Sequence, residues 1–249
     1  MGRGAGVQLD EIVPLGRGLD EYHTMFALQP DDTGCRLLGC GDGPAAFNAE
    51  WTAHGGRVIS LDPLYSLPAA AIGARIAASF PEVVRRMRAD PGAYRLGQGQ
   101  TIDDLAARRW AAMQRFLGDY PAGGRSGRYV AGGLPQLPFA DATFDLAVCA
   151  HLLFLYEDHL SRAFHTRAIL ELLRVAAEVR LFPLVNLAGR PSVHLEPVRT
   201  ALHRAGAHSA VMAVDYEVQR GARHMLKVWR SRPAGPTGET SPNEQEKGT

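Results

Sequence analysis

The chain has 249 residues, 46% of them apolar, so it can bury the core of one large α/β domain. Basic and acidic residues nearly balance, 27 against 26, which argues against a nucleic acid or a membrane surface as the main partner. Cys35, Cys40 and Cys149 are odd in number and lack metal-knuckle spacing, so neither a disulfide framework nor a zinc site is indicated; with no apolar run near the roughly 20 residues of a membrane span, a cytoplasmic protein is expected.

Taken in order, residues 1–34 read as a glycine-rich leading segment, its first eight or so residues disordered, and then an amphipathic helix. The helix starts at Gly18-Leu19-Asp20, carries Tyr22, Met25 and Phe26 on one face, and ends before Gln29-Pro30. Arg17, just ahead of it, is a candidate carboxylate clamp. Residues 35–39 form a predicted buried strand and 44–54 a helix with Pro44 at its first position and Gly55-Gly56 as its stop. Arg57 to Leu61 is the second strand, and a helix between two strands implies parallel pairing.

The segment 64–127 then departs from this alternation. Helices are expected at 68–80, 82–89 and 102–120, with nine arginines and five acids in an insertion much longer than a crossover needs. Such an insertion serves as a cap completing the fold, as a lid over a substrate pocket, or as both. Arg85-Arg86-Met87-Arg88 reads as an exposed helix face. Strands are expected at 128–131, 144–150, 178–187, 210–218 and 224–229, with helices at 162–177 and 193–205; the last two strands suit an antiparallel hairpin. Residues 35–230 therefore make one domain carrying the insertion, and 231–249 a disordered polar tail.

Chemistry concentrates in Gly39-Cys40-Gly41-Asp42-Gly43-Pro44 and in Asp62, which closes the second strand 19 residues after Gly43. The glycines allow close backbone approach to a ligand in a tight turn, and a carboxylate at that reach accepts from both hydroxyls of a ribose. A dinucleotide site would want a third glycine one residue later and an amide where Pro44 has none. Asp42 would repel a phosphate and tolerate a cation.

These residues, with Leu137-Pro138-Phe139-Ala140-Asp141-Ala142-Thr143-Phe144-Asp145-Leu146, give a chain that resembles the class I S-adenosylmethionine-dependent methyltransferases. The resemblance implies a doubly wound, mostly parallel seven-stranded α/β sheet with a C-terminal antiparallel hairpin and a helical insertion after the second strand. It implies S-adenosylmethionine as cofactor, held by Arg17, Gly39, Cys40, Gly41, Asp42, Gly43, Asp62, Pro63, Gly133, Leu134 and Ala150. It also places His151 and Tyr156 as candidate catalytic groups at the end of the fourth strand, His151 as general base and Tyr156 against the substrate or sulfonium. Two positions where the family often carries acids are Leu37 and Gly133; backbone carbonyls at 132–134 are the substitute at the second. The implied activity is methyl transfer to a small-molecule acceptor. Alternatives are an RNA or protein acceptor, or a regulatory module that binds the cofactor without catalysis. The histidines at 151, 159 and 165 lack metal-site spacing, so no metal is expected.

Overall fold

The structure is a computed structural model that describes residues 15–231. The leading eight or so residues and the tail expected to be disordered lie outside the described residues, apart from Ser231. Seven strands form one sheet: β1 (Arg36–Cys40), β2 (Arg57–Asp62), β3 (Tyr129–Ala131), β4 (Phe144–Ala150), β5 (Ala176–Phe182), β6 (His208–Ala213) and β7 (His224–Trp229). Their spatial order is β3-β2-β1-β4-β5-β7-β6. The first five strands are parallel, and β7 runs antiparallel between β5 and β6. Because β1 starts at the centre and the chain winds first to one side and then to the other, the carboxyl ends of β1, β2, β3 and β4 share one edge.

Side chains alternate across the sheet as the two-residue period of a strand requires. Leu38, Cys40, Ala147, Cys149, Val179 and Leu181 enter one core with Ile169 and Leu172 of α5 (Arg162–Val175) and Val198 and Leu202 of α6 (Leu195–Arg204). Leu37, Leu146, Val148 and Phe182 enter the other, against α1 (Leu19–Phe26) and α2 (Phe47–Ala53). There Tyr22 stacks on Phe47 with centroids 4.0 Å apart, and Trp51 fills the space that a side chain at position 56 would occupy: a Cβ on Gly56 would come within 2.2 Å of its Nε1. Leu37 is fully buried in this layer, which accounts for an apolar residue where the resembled family often has an acid.

Several expectations need correction. Pro44 does not open α2; the chain makes a turn at 43–44 and the helix begins at Phe47. The Ala46 amide, just ahead of the helix, donates to the Arg17 carbonyl at 2.9 Å and so ties the turn to the segment before α1. In the insertion, the expected breaks at proline do not occur. α3 (Ala69–Ala89) runs through Pro81, and α4 (Ile102–Arg125) runs through Pro121. Tertiary packing outweighs the roughly 3 kcal/mol that an interior proline costs a helix: Ile72, Ile76, Met113, Phe116 and Tyr120 form one buried cluster with Tyr65 and Tyr129. Finally, β5 starts two residues before the expected position, at Ala176, and ends at Phe182. Glu178 pairs with Arg180 and with Lys227 of the neighbouring strand, each at 2.7 Å.

Candidate active site

The shared edge of the sheet opens onto a cavity of about 500 Å³. Its floor is the sequence-predicted set. Cys40 ends β1, and Gly41, Asp42 and Gly43 follow it; Asp62 ends β2, and Pro63 follows; Gly133 and Leu134 follow β3; Ala150 ends β4, and His151 follows; Tyr156 and Arg17 complete it. Gly39 is the exception and does not line the cavity. Its role is to make room for Asp42, since a Cβ at position 39 would lie 1.9 Å from the Asp42 Oδ2.

Asp42 is buried and accepts hydrogen bonds from the Tyr22 hydroxyl at 2.9 Å and the Ser60 hydroxyl at 2.5 Å. Burial pushes its carboxyl up to about 7, with Asp62 adding to the rise and the two hydroxyls opposing it. Asp62 accepts from the Gly43 amide at 2.9 Å on one oxygen and from the Leu64 amide at 2.8 Å on the other, which fixes the carboxylate plane and leaves a lone pair on each oxygen. Burial raises its pKa also, and these two amides hold it down in part. The turn itself is strung between strands: the Gly41 amide donates to the Leu61 carbonyl at 2.8 Å, and Gly41 and Gly43 have φ of 72° and 52°. A Cβ on Gly41 would meet Leu152 at 2.8 Å, so glycine is required there by both conformation and space.

His151 also has a positive φ, 52°, in a region that a side-chain-bearing residue adopts only when its surroundings enforce it. The enforcement is visible: its amide donates to the Phe182 carbonyl at 2.6 Å and its ring stands edge-on to Phe182. The imidazole is buried, and Nδ1 has no hydrogen-bond partner. Burial, reinforced by the nearby Arg17 and Arg109 charges, holds its pKa well below the ordinary histidine value, so the ring is neutral at pH 7.

The roof comes from parts of the chain that the sequence does not connect. α3 supplies Val83 and Met87, α4 supplies Leu105 and Arg109, and the connection between β6 and β7 supplies Tyr216, Val218 and Gln219. Residues 92–95 clasp residues 217–220: Arg95 N donates to Val218 O and Arg220 N to Ala93 O, both at 2.8 Å, and the Arg95 guanidinium pairs with Glu217 at 2.9 Å. Behind the roof, Glu21 of α1 accepts from Arg109 and, at 2.7 Å, from the Tyr216 hydroxyl. Burial alone would raise the Glu21 pKa, but Arg109, Arg17 and these hydrogen bonds bring it to about 2. Glu21, Tyr22, Tyr94, Arg109 and Tyr216 were not among the sequence-predicted site residues. The only signal was that Tyr22 lies on a predicted amphipathic face; partners 88 and 195 residues apart leave no linear trace.

A mostly parallel seven-stranded sheet with the glycine turn after β1 and an antiparallel pair of strands at the C-terminal end is what the sequence resemblance implies. The chain has the class I S-adenosylmethionine-dependent methyltransferase fold. No protein-family model matches it. An uncharacterized protein of Methanocaldococcus jannaschii is 28% identical over 225 residues, covering 90% of this chain and 99% of that protein. Among solved structures, magnesium protoporphyrin IX methyltransferase from Synechocystis PCC 6803, determined with bound S-adenosylmethionine, is 14% identical with a TM-score of 0.48, over 86% of this chain and 78% of that one. A methyltransferase of Thermotoga maritima described as a possible histamine N-methyltransferase is 12% identical with a TM-score of 0.40, over 86% and 88%. Among the described residues, no helix is long and apolar enough to cross a membrane.

Two predictions follow from the electrostatics. Glu21→Gln leaves the buried Arg109 without its counter-charge and is expected to lower unfolding free energy by about 3 kcal/mol at pH 7, measured by urea denaturation. The Glu21 contribution is present above its ordinary value of 4.5 and is lost as pH falls toward about 2. Asp42 has the opposite sign, because its folded value of about 7 lies above the ordinary 3.8. Its contribution is full below that ordinary value and disappears as pH rises through about 7. The melting temperature of the wild-type protein relative to Asp42→Asn should therefore fall between about pH 4 and about pH 7 and level off above that, and a constant difference would exclude titration of Asp42.

Proposed function

We propose that this protein is an S-adenosylmethionine-dependent methyltransferase acting on a small molecule. The observation that carries the reading is the convergence on one cavity of the glycine turn, the fixed Asp62 carboxylate and the His151 side chain. The residues fit the cofactor. Asp62 has an open lone pair on each oxygen for the two ribose hydroxyls, Gly43 leaves its face of the turn open, and Pro63, Gly133 and Leu134 line the cavity where a flat base would lie. A Cβ on Gly133 would approach Pro63 to 3.1 Å, so a side chain there would narrow this space; backbone groups take over the recognition that an acid performs in the resembled family. Asp42 suits a cationic neighbour, which would lower its raised pKa and bring it to the charged form.

When bound, S-adenosylmethionine supplies a methyl group on a positively charged sulfur. The chain's contribution is to orient the acceptor against that group and exclude water, which account for much of the rate in such a transfer. The His151 imidazole, which lines the cavity, would take up the proton that an acceptor oxygen or nitrogen gives up when it receives the methyl group. Tyr156 walls the cavity beside it. An enclosing roof of insertion and hairpin connection favours a small acceptor over RNA or protein, and the expected arginine-rich surface of α3 is partly self-paired, Glu82 holding both Arg85 and Arg86.

Calorimetry with S-adenosylmethionine and S-adenosylhomocysteine tests the reading directly. Both should bind the wild-type protein, and Asp62→Ala should bind them at least about a hundredfold more weakly while keeping the native circular dichroism. Absence of binding to the wild type at millimolar ligand would overturn the assignment. Incubation of cell extract with methyl-labelled cofactor should transfer label to small molecules, and His151→Gln should cut that rate by about a hundredfold with cofactor affinity preserved. A wild-type rate would remove His151 from the mechanism.

A further inference from the structure

The cavity is divided in charge as well as in architecture. Among its lining residues the carboxylates are Asp42 and Asp62, both at the glycine-turn end, whereas the arginines Arg17, Arg75, Arg86 and Arg109 stand around the remainder. A cationic acceptor would therefore meet no counter-charge away from the turn. Of these, Arg109 has a carboxylate partner in Glu21 and Arg86 in Glu82. Among the described residues Arg17 has none: its Nη1 donates to the Leu15 carbonyl at 3.2 Å, and its Nε is buried without a hydrogen-bond partner. A buried guanidinium N–H left unpaired is unfavourable, and pairing it with an acceptor atom relieves that cost.

The sequence sets Arg17 among the cofactor ligands, yet it lines the same cavity as the roof residues. Its charge is felt at Tyr94, Tyr216 and Glu21 on the roof side as well as at His151 and Tyr22. Tyr94 lies within the clasped segment, lines the same cavity and is half-buried. Beside it, Met87 and Leu105 pack with Val83 and Val218 into an apolar wall. An oxyanion next to an apolar wall is the ligand that this combination of a forked donor, a phenol and aliphatic side chains recognises.

We propose that the methyl acceptor is a small molecule with an apolar body and one oxyanion, a carboxylate or a phosphate, and that Arg17 together with Tyr94 binds that oxyanion while the body rests on Met87, Leu105 and Val218. The inference rests on the methyltransferase reading. It makes Arg17 a specificity-determining residue for the acceptor.

The test uses the full chain saturated with S-adenosylhomocysteine and three probes of one size: 4-hydroxybenzoate, phenyl phosphate and uncharged 4-hydroxybenzamide, titrated by calorimetry. At least one anion should bind about tenfold or more tightly than the benzamide, and the better of the two identifies the oxyanion. Arg17→Met should lose that preference while its affinity for S-adenosylhomocysteine stays within about twofold, and Arg17→Lys should recover part of it. Equal binding of charged and uncharged probes, binding of none, or an Arg17→Met protein that loses S-adenosylhomocysteine and keeps the anion preference would each overturn the proposal. Failure of the wild type to bind S-adenosylhomocysteine is a separate result and strikes the methyltransferase reading itself.

Discussion

A carboxylate buried at the end of the central strand sets the terms for the rest of this structure. Removing Asp42 from water carries a penalty of several kcal/mol if it stays charged, and the fold meets that penalty locally. Gly39 vacates the space beneath it, Tyr22 reaches it from α1, and Ser60 reaches it from β2. Each contact fixes a different element against the turn. The Tyr22 ring, positioned by its hydroxyl, stacks on Phe47 and thereby docks the two helices of one layer together. The polar interaction and the apolar packing are thus parts of one arrangement, and the turn gains its rigidity from both.

The same logic explains how a second carboxylate survives nearby. Asp62 is charged more readily than burial alone would allow because the Gly43 and Leu64 amides donate to it. One of those amides belongs to the glycine turn, so the ends of β1 and β2 are hydrogen-bonded to each other through the group that would hold the ribose. Positions of ligand-binding atoms and stability of the turn are therefore coupled, and the site is preorganised in the sense that matters for binding.

Much of this was legible in the sequence because it is local. The β1 turn, Asp62 and the β4 end are each adjacent to a strong apolar run, and in a parallel sheet the run's end fixes where its last residue goes. The architecture of the sheet followed from the same runs, including the closing hairpin. What the sequence concealed has two causes. Propensity was overruled by packing at Pro81 and Pro121, where long helices persist through residues that ordinarily interrupt them. The roof was illegible because Glu21, Arg109 and Tyr216 meet only after three distant segments have folded, and no periodicity or spacing encodes such a meeting. Gly39 was readable as essential but for a different reason, since it accommodates a neighbouring side chain and does not face the cavity.

The clasp between residues 92–95 and 217–220 includes two main-chain hydrogen bonds, and main-chain groups are the same whatever side chain they carry. Closure over the cavity is consequently written in a different part of the molecule's chemistry from selectivity within it. Residues such as Val83, Met87, Leu105 and Val218 are free to change in size and polarity over evolutionary time while the strap above them keeps its hydrogen bonds. The scaffold can in this way be retuned from one acceptor to another without relearning how to shut.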